Sequence, residues 1–401
     1  MAIDDLLTAI RVGDPQLSSD GRRVLFTRTT TAMPAGTRNS DIWVVPADGS
    51  APPTPFIEGP KSDNSPRFVP GASRVAFISS RDGAPQVYIT DAEGKNPRAI
   101  TKLSGGVQPP LIVSPDGKLV AFVSDVYPAC PDEACNKRTR DAEEKDPVKV
   151  HTLNRLPFRH WNEWWETVRH HVFVAEIASG ATRDVTPGDF DSPPHNYEDA
   201  AIAFSPDSRE IAFVSKREAK KDSEMWVTNH EVWTVPVTGG PAKKLTSNPA
   251  ADMQPTYAPD GKAIVVRAQR RAGFEADRWY LDVYERASGV KHTVFESPDL
   301  SVDDFRFAPD GKTIWFTAAQ NGAGNLFVVP TAGGTPTLAA KGGAIGEVQP
   351  GTGFAIVSKS TLTAPSELFR VNADGKMQQL THENAAWLGA VEQPQVSSLT
   401  V

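Results

Sequence analysis

The stretch Ser114-Pro115-Asp116-Gly117, followed by the apolar strand Leu119-Val120-Ala121-Phe122, decides the fold of this 401-residue chain. Proline presets φ, aspartate can bond to its own backbone and glycine tolerates positive φ, so the stretch predicts a tight turn that leads into a strand. The same pattern recurs at Ser18-Ser19-Asp20-Gly21, Ser205-Pro206-Asp207-Ser208, Ala258-Pro259-Asp260-Gly261 and Ala308-Pro309-Asp310-Gly311. Two degenerate copies, Val69-Pro70-Gly71 and Gln349-Pro350-Gly351, complete the set.

The copies recur at a nearly regular period. Aligned on the aspartate position, they lie 51, 45, 91, 53, 50 and 41 residues apart. Each turn leads into a strand and then into a second strand with an aromatic residue, such as Asp41-Ile42-Trp43-Val44-Val45. A glycine turn and a short strand that ends in threonine follow, as in Leu245-Thr246. Four short strands in about 40 to 50 residues are typical of propeller blades.

The period also separates the propeller from its alternatives. A β-helix has a shorter period, and a string of separate hairpins cannot bury a two-sided sheet. We therefore predict an all-β fold, a seven-bladed β-propeller of four-stranded blades, over residues 14–390. A short helix should precede it in residues 1–13, because Ile3, Leu6, Leu7 and Ile10 fall on one helical face.

Composition limits the classes of partner. The net charge of −7 and the pI near 5.7 argue against nucleic acid, which requires a concentrated positive surface. Apolar residues make up 39% of the chain, enough to bury a core. No apolar run approaches the roughly 18 residues of a membrane-spanning helix, so we expect no membrane partner. The sequence leaves open whether the chain forms homo-oligomers.

The 91-residue interval predicts an insertion over residues 125–170, outside the repeated sheets. Its charged run, Asn136 to Asp146, predicts a solvated helical turn. Its aromatic part contains residues that could line a substrate cavity and receive a cationic group: Arg159, His160, Trp161, Glu163, Trp164 and Glu166. The alternative is that the tryptophans only pack the insertion against its blade.

The two cysteines, Cys130 and Cys135, stand in a loop-like stretch and are candidates for a small disulfide. Two free thiols are the alternative, and no matching Cys or His pair completes a zinc site. The opening residues lack the regions of a signal peptide, so we expect either a cytoplasmic chain or one whose leader has been replaced by a start codon. A disulfide would favour the periplasm or secretion.

The sequence contains none of the catalytic motifs that we looked for. It has no Gly-x-Ser-x-Gly, no phosphate-binding loop, no His-Glu-x-x-His and no dinucleotide fingerprint, so we expect no catalytic residue and no cofactor in this chain. His170, His171 and His195 could suggest a metal site, but their spacing lacks the paired ligands, and we expect no metal.

On the basis of several sequence motifs, the chain resembles the N-terminal propeller of prolyl-oligopeptidase-family (S9) serine peptidases of the dipeptidyl-peptidase and acylaminoacyl-peptidase type. These motifs are Val12-Gly13-Asp14-Pro15-Gln16-Leu17-Ser18, the repeated Ser/Ala-Pro-Asp, Cys130-Pro131-Asp132 and Phe158-Arg159-His160-Trp161. The resemblance covers essentially the whole chain. It implies a C-terminal α/β-hydrolase domain with the catalytic triad, on the same or a separate chain, which residues 391–401 would join as the start of a linker.

The resemblance implies that the propeller gates short peptide substrates for a serine exopeptidase or oligopeptidase, and that this chain alone is inactive. Exopeptidases of the family hold the peptide amino terminus with a glutamate pair, and the only adjacent pair in the insertion, Glu143-Glu144, lies in the charged run. Aminopeptidase and acyl-peptidase specificity therefore both stay open. The alternative function is a stand-alone TolB-like propeller that acts as a protein-interaction scaffold.

Overall fold

The computed structural model describes residues 2–150, 159–160, 163–164, 167–194, 201–218, 227–397 and 399. Within these residues the chain is mostly β-structure, as predicted. The helices are α1 (Ile3–Thr8), α2 (Glu133–Lys145) and α3 (Ala385–Ala390). None of the helices in the described ranges is long and apolar enough to cross a membrane.

The strands form antiparallel runs of four, which we call units and number along the chain. Unit 1 consists of β1 (Arg11–Leu17), β2 (Arg23–Ala32), β3 (Thr37–Pro46) and β4 (Thr54–Ile57). Unit 2 consists of β5 (Asp63–Phe68), β6 (Arg74–Ser79), β7 (Gln86–Asp91) and β8 (Arg98–Ala99). Unit 3 consists of β9 (Gln108–Val113), β10 (Leu119–Val126), β13 (Arg169–Glu176) and β14 (Thr182–Asp184). Between β10 and β13 in sequence, a separate hairpin is formed by β11 (Arg159–His160) and β12 (Glu163–Trp164).

The second half of the chain repeats the arrangement. Unit 4 consists of β15 (Ile202–Phe204), β16 (Glu210–Ser215), β17 (Glu231–Pro236) and β18 (Lys243–Lys244). Unit 5 consists of β19 (Asp252–Tyr257), β20 (Ala263–Ala268), β21 (Tyr280–Glu285) and β22 (Lys291–Thr293). Unit 6 consists of β23 (Val302–Phe307), β24 (Thr313–Gln320), β25 (Ala323–Pro330) and β26 (Thr337–Ala340). Unit 7 consists of β27 (Ala344–Gly351), β28 (Phe354–Thr361), β29 (Ala364–Asn372) and β30 (Met377–Gln379), and a parallel pair at Gly324 and Ala344 joins it to unit 6 in one sheet.

The repeated turn lies between the first and second strands of a unit. Ser114 Oγ donates to Asp116 Oδ1 at 2.7 Å, and Leu119 N donates back to Ser114 Oγ at 2.9 Å. Gly117 has a φ of +69°, and a Cβ at this position would lie 2.3 Å from Pro70 O, in the equivalent turn of unit 2. The glycine therefore serves both the turn and the close approach of neighbouring units.

The threonine that follows the fourth strand bonds back to the third strand. Thr101 Oγ1 accepts a hydrogen bond from Val87 N at 2.9 Å, and Thr246 Oγ1 accepts one from Val232 N at the same distance. Thr381 makes the equivalent contact with Leu368 N at 2.8 Å. The threonine thus satisfies a buried backbone donor where the sheet ends.

The cores lie between neighbouring units. A phenylalanine of the second strand is fully buried in most units: Phe26, Phe77, Phe122, Phe213 and Phe316. Burying one such ring contributes about 1.5–3 kcal/mol. Val12 and Phe26 of unit 1 share a core with Phe354 and Leu368 of unit 7, so the first and last units pack against each other.

Antiparallel topology places several features at one end of the sheets. We define the upper face as the end at which the first strand of each unit begins. Loops between second and third strands lie there, and so do α1, which precedes β1, and α3, which follows β30. β10 ends and β13 begins at the upper face as well.

Candidate functional site

Helix α2 rises from the upper face immediately after β10. Its N-cap is Asp132, whose carboxylate accepts a hydrogen bond from Cys135 N at 2.8 Å. An acidic N-cap stabilises a helix because it satisfies a free N–H group and complements the helix dipole. A disulfide joins Cys130 to Cys135, so the start of α2 is covalently closed as well as capped.

Polar contacts attach α2 to its sheet. Asn136 is its one buried residue, at 5% exposure, and its Oδ1 accepts a hydrogen bond from Tyr127 N at 2.8 Å. Glu133 Oε1 accepts a hydrogen bond from Ser104 N, in the connection between units 2 and 3, at 2.7 Å. Because α2 buries almost no apolar area, its position depends on these bonds and on the disulfide.

A cavity of about 400 Å³ lies between α2, the end of β10 and the β11–β12 hairpin. We call it the α2 cavity. Arg140, Glu143 and Glu144 occupy positions i, i+3 and i+4 of α2, so they share one face of the helix, and all three line the cavity. Tyr127 and Trp164 contribute aromatic surface to its wall.

The two glutamates give the cavity a negative pole. Both are exposed, and the Glu143 carboxylate accepts a hydrogen bond from the Tyr127 hydroxyl. Lys149 also lines the cavity, and its Nζ donates to the main-chain oxygens of Glu143 and Glu144, at 2.8 and 2.9 Å, rather than to either carboxylate. Among the described residues, the Glu144 carboxylate forms no ion pair. The pair can therefore receive a cationic group from a ligand.

Arg140 gives the same cavity a positive pole. Its guanidinium lies over the Tyr127 ring, 5.5 Å from the ring centroid. Its Nε and Nη2 are buried and have no hydrogen-bond partner within the described part of the chain. Buried donors without acceptors are costly, so these two groups would gain a bond if the guanidinium turned toward a ligand oxygen in the cavity.

Of the six residues predicted for a substrate cavity, the structure places Trp164 in the cavity wall, with 45% of its surface exposed. Arg159 is exposed and pairs with Trp164 in the hairpin. His160 and Glu163 form the second backbone pair of the hairpin. Trp161 and Glu166 lie outside the described residues.

The histidines of β13 bind carboxylates of their own sheet. His170 Nε2 lies 3.3 Å from Asp125 Oδ1, and His171 Nδ1 lies 2.6 Å from Asp184 Oδ2. His195 lies outside the described residues. In the ranges that the structure describes, no three His, Cys, Asp or Glu side chains are grouped so as to hold a metal ion.

Glu143-Glu144 was predicted to be part of a solvated run, and Arg140 and Tyr127 were not among the predicted site residues. The spacing of 140, 143 and 144 on one helical face was the available signal. What the sequence could not show is that this face is turned toward Trp164 and Tyr127, because α2 carries no apolar stripe that would indicate its orientation.

No model of a known protein family matches the chain. Dipeptidyl-peptidase 5 of Porphyromonas gingivalis is 26% identical over 400 residues, which are 95% of this chain and 56% of that protein. The chain thus spans little more than half the length of this relative.

Solved structures show the same fold. The acylaminoacyl peptidase of Pyrococcus horikoshii superposes with a TM-score of 0.71 at 14% identity, over 97% of this chain and 55% of the peptidase. The β-propeller domain of the Trilobed protease of Pyrococcus furiosus superposes with a TM-score of 0.61 at 15% identity, over 94% of this chain and 97% of the domain.

Proposed function

The chain is a propeller domain of the S9 peptidase family, and on that premise we propose that it selects peptides with a free amino terminus for a dipeptidyl-peptidase type of serine peptidase. The observation that carries this proposal is the Glu143-Glu144 pair in the wall of the α2 cavity. The catalytic triad would belong to an α/β-hydrolase domain outside these 401 residues, and this chain alone would be inactive.

Charge is the reason for preferring a free amino terminus to an acylated one. A peptide ammonium can donate charge-assisted hydrogen bonds to Glu143 and Glu144, and each such bond contributes about 1.5–3 kcal/mol. An N-acylated peptide has no charge at this position and would leave the carboxylates without a partner. A difference of about 1.4 kcal/mol is tenfold in affinity, so the pair is sufficient to discriminate between the two classes.

Two further side chains in the cavity wall, Arg140 and Trp164, fit the rest of a short peptide. The guanidinium of Arg140, at the cavity wall, carries N–H donors that could turn toward a peptide carbonyl. The exposed ring of Trp164 offers apolar surface to a side chain. The cavity volume, about 400 Å³, suits one or two residues of a peptide.

We propose that the hydrolase domain covers the upper face. Both terminal helices lie at that face, together with the α2 cavity. Among the described residues, most of the exposed large apolar side chains belong to α1 or to loops and insertions at the same end: Ile3, Leu6, Met33, Val148, Val150, Trp164, Phe274 and Leu362. Apolar residues concentrated on one face favour a protein partner there. Covered in this way, the cavity would admit short peptides and exclude folded proteins.

We propose that the units close into a ring of seven blades around a channel. The repeated turns, the four-stranded units and the core that unit 1 shares with unit 7 support this arrangement. No unit combines strands from both ends of the described chain, so closure would depend on side-chain contacts rather than on a strand exchanged between the termini.

We also propose an oxidising location, the periplasm or the cell exterior. The Cys130–Cys135 disulfide supports it, because structural disulfides are rare in the reducing cytoplasm. Thiol alkylation in intact cells should leave both cysteines unmodified. Complete alkylation would place the protein in the cytoplasm.

The experiment that tests the proposed activity compares this chain with the complete product of its gene on chromogenic substrates. The complete product should hydrolyse dipeptidyl p-nitroanilides, and the 401-residue chain should hydrolyse none. Activity on acylaminoacyl substrates instead would contradict the specificity. Inactivity of the complete product on both classes would favour the scaffold alternative.

A further inference from the structure

We infer that Tyr127 is the positioning residue of the α2 cavity, and that it holds Glu143 and Arg140 apart so that each can bind its own part of a peptide. The inference rests on the proposed function, because it concerns the same cavity. Tyr127 itself need not touch the substrate. It would act through the two charged side chains that flank it.

The backbone of Tyr127 is fixed on both sides. Its N–H donates to Asn136 Oδ1 at 2.8 Å, and its main-chain oxygen accepts a hydrogen bond from Cys130 N at 2.8 Å. The side chain is 7% exposed. Tyr127 is thus bonded both to α2 and to the disulfide-closed turn. These bonds fix its position relative to the residues that line the cavity.

The side chain contacts both poles of the cavity. Its hydroxyl donates to Glu143 Oε2, and its ring lies under the guanidinium of Arg140. A cation over an aromatic face and a hydroxyl on a carboxylate are both favourable contacts. One side chain therefore determines where the acidic and the basic group stand.

The two contacts of Tyr127 prevent Arg140 and Glu143 from forming an ion pair with each other. Arg140 and Glu143 are three residues apart on α2, a spacing at which opposite charges commonly pair. In the described part of the chain no ion pair joins them, since each is engaged by Tyr127. If they paired with each other, both would lose the capacity to bind a peptide ammonium and a peptide carbonyl.

Replacing Tyr127 by phenylalanine removes the hydroxyl and keeps the ring. Glu143 then loses its donor and can turn toward Arg140, while the fold should be unaffected. We expect the KM of Ala-Ala-p-nitroanilide with the complete enzyme to rise about fivefold to tenfold and kcat to stay within about twofold. Hydrolysis of N-acetyl-Ala-Ala-p-nitroanilide, however slow, should not change.

Unit 2 offers a matched control. The Tyr88 hydroxyl donates to Asp82, and the Tyr88 ring lies 5.1 Å from the guanidinium of Arg81, but these residues are not in the α2 cavity. Tyr88→Phe removes the same kind of hydrogen bond and should leave KM unchanged. An equal rise in KM for Tyr88→Phe would mean that the effect is a general loss of structure.

A double variant separates positioning from simple stabilisation. If Tyr127 acts through Glu143, adding Tyr127→Phe to Glu143→Gln should raise KM less than twofold further. Additive effects, or a fall in kcat with both substrates, would overturn the inference.

If the unaltered enzyme prefers the acetylated peptide, the proposed function fails. If Glu143→Gln weakens binding of the free amine but Tyr127→Phe does not, only the role of Tyr127 fails.

Discussion

Arg28 of β2 and Glu383, which follows β30, form an ion pair with 2.6 Å between Arg28 Nε and Glu383 Oε2. The pair joins the first unit to the segment after the last one. The side chains are only 20% and 12% exposed, and the Arg28 guanidinium also lies over the Trp43 ring. It is thus one of the side-chain contacts that connect the beginning of the chain to its end.

Glu383→Gln should destabilise this junction, because it leaves a mostly buried guanidinium without its charge partner. We expect a loss of about 1–3 kcal/mol, measured as a lower melting temperature. Lys376→Ala is the control, since Lys376 and its partner Asp374 are 83% and 53% exposed and such surface pairs contribute little. Equal melting temperatures for both variants would show that the junction does not limit stability.

Two glycines with the same backbone conformation test the packing of neighbouring units. Gly71 and Gly117 have φ of +68° and +69°, but a Cβ on Gly71 meets nothing within 4 Å, whereas one on Gly117 meets Pro70 O at 2.3 Å. Gly71→Ala should cost only the left-handed backbone penalty, about 1 kcal/mol. Gly117→Ala should cost about 1–3 kcal/mol more because a backbone oxygen must move. Thermal denaturation of both variants measures the difference, and equal losses would contradict the close approach.

Asp252 should make stability depend on pH. The side chain is fully buried at the start of β19. Burial and the nearby Glu231 charge raise its pKa to about 7, although hydrogen bonds from Thr246 and Asn248 act in the opposite direction and lower the pKa. Since the folded pKa lies above the unfolded value, the folded state binds the proton more tightly. The contribution to stability is therefore fully present below about pH 4 and is lost as the pH rises through 7.

The variant Asp252→Asn removes this titration. From pH 5 to pH 8 the free energy of unfolding of the unaltered chain should fall about 2–3 kcal/mol more than that of the variant. Asp260→Asn, at an exposed turn, is the control and should follow the unaltered chain. Parallel pH profiles for the unaltered chain and Asp252→Asn would contradict a raised pKa.

The disulfide should stabilise α2 locally. In the variant Cys130→Ser, hydrogen exchange across residues 133–145 should become faster, because a small loop closed by a disulfide contributes about 2 kcal/mol and α2 buries almost no apolar surface. Exchange in β10 and β13 should stay slow. Unchanged exchange in α2 would mean that the Asn136 and Glu133 contacts are sufficient to hold the helix.

The repeated sheets could be predicted from the sequence because their signals are local. The turn at Ser114 to Gly117 depends on bonds between residues two to five apart, and the terminal threonines bond across one strand pair. Even the degenerate copy at Val69 to Gly71 was recognisable, because it keeps the proline and the glycine of the turn.

The α2 cavity could not be predicted in the same way. It is assembled from Tyr127 at the end of a strand, Glu143 on a polar helix and Trp164 on a short hairpin. Nothing in the charged run indicates which face of α2 is turned inward, since the buried residue, Asn136, is polar. The acidic residues predicted for a substrate cavity were Glu163 and Glu166, in the same insertion as Trp164, and their role stays a prediction.

We propose above all that the α2 cavity recognises a charged amino terminus through Glu143 and Glu144. The most direct test is the ratio of kcat/KM for Ala-Ala-p-nitroanilide to that for N-acetyl-Ala-Ala-p-nitroanilide, measured with the complete enzyme and with its Glu144→Gln variant. Glu93→Gln, an exposed glutamate in a turn of unit 2, is the control. We predict that Glu144→Gln lowers the ratio at least about tenfold through the free-amine peptide alone. A ratio equal to that of the unaltered enzyme, or an equal loss with both peptides, would contradict the claim.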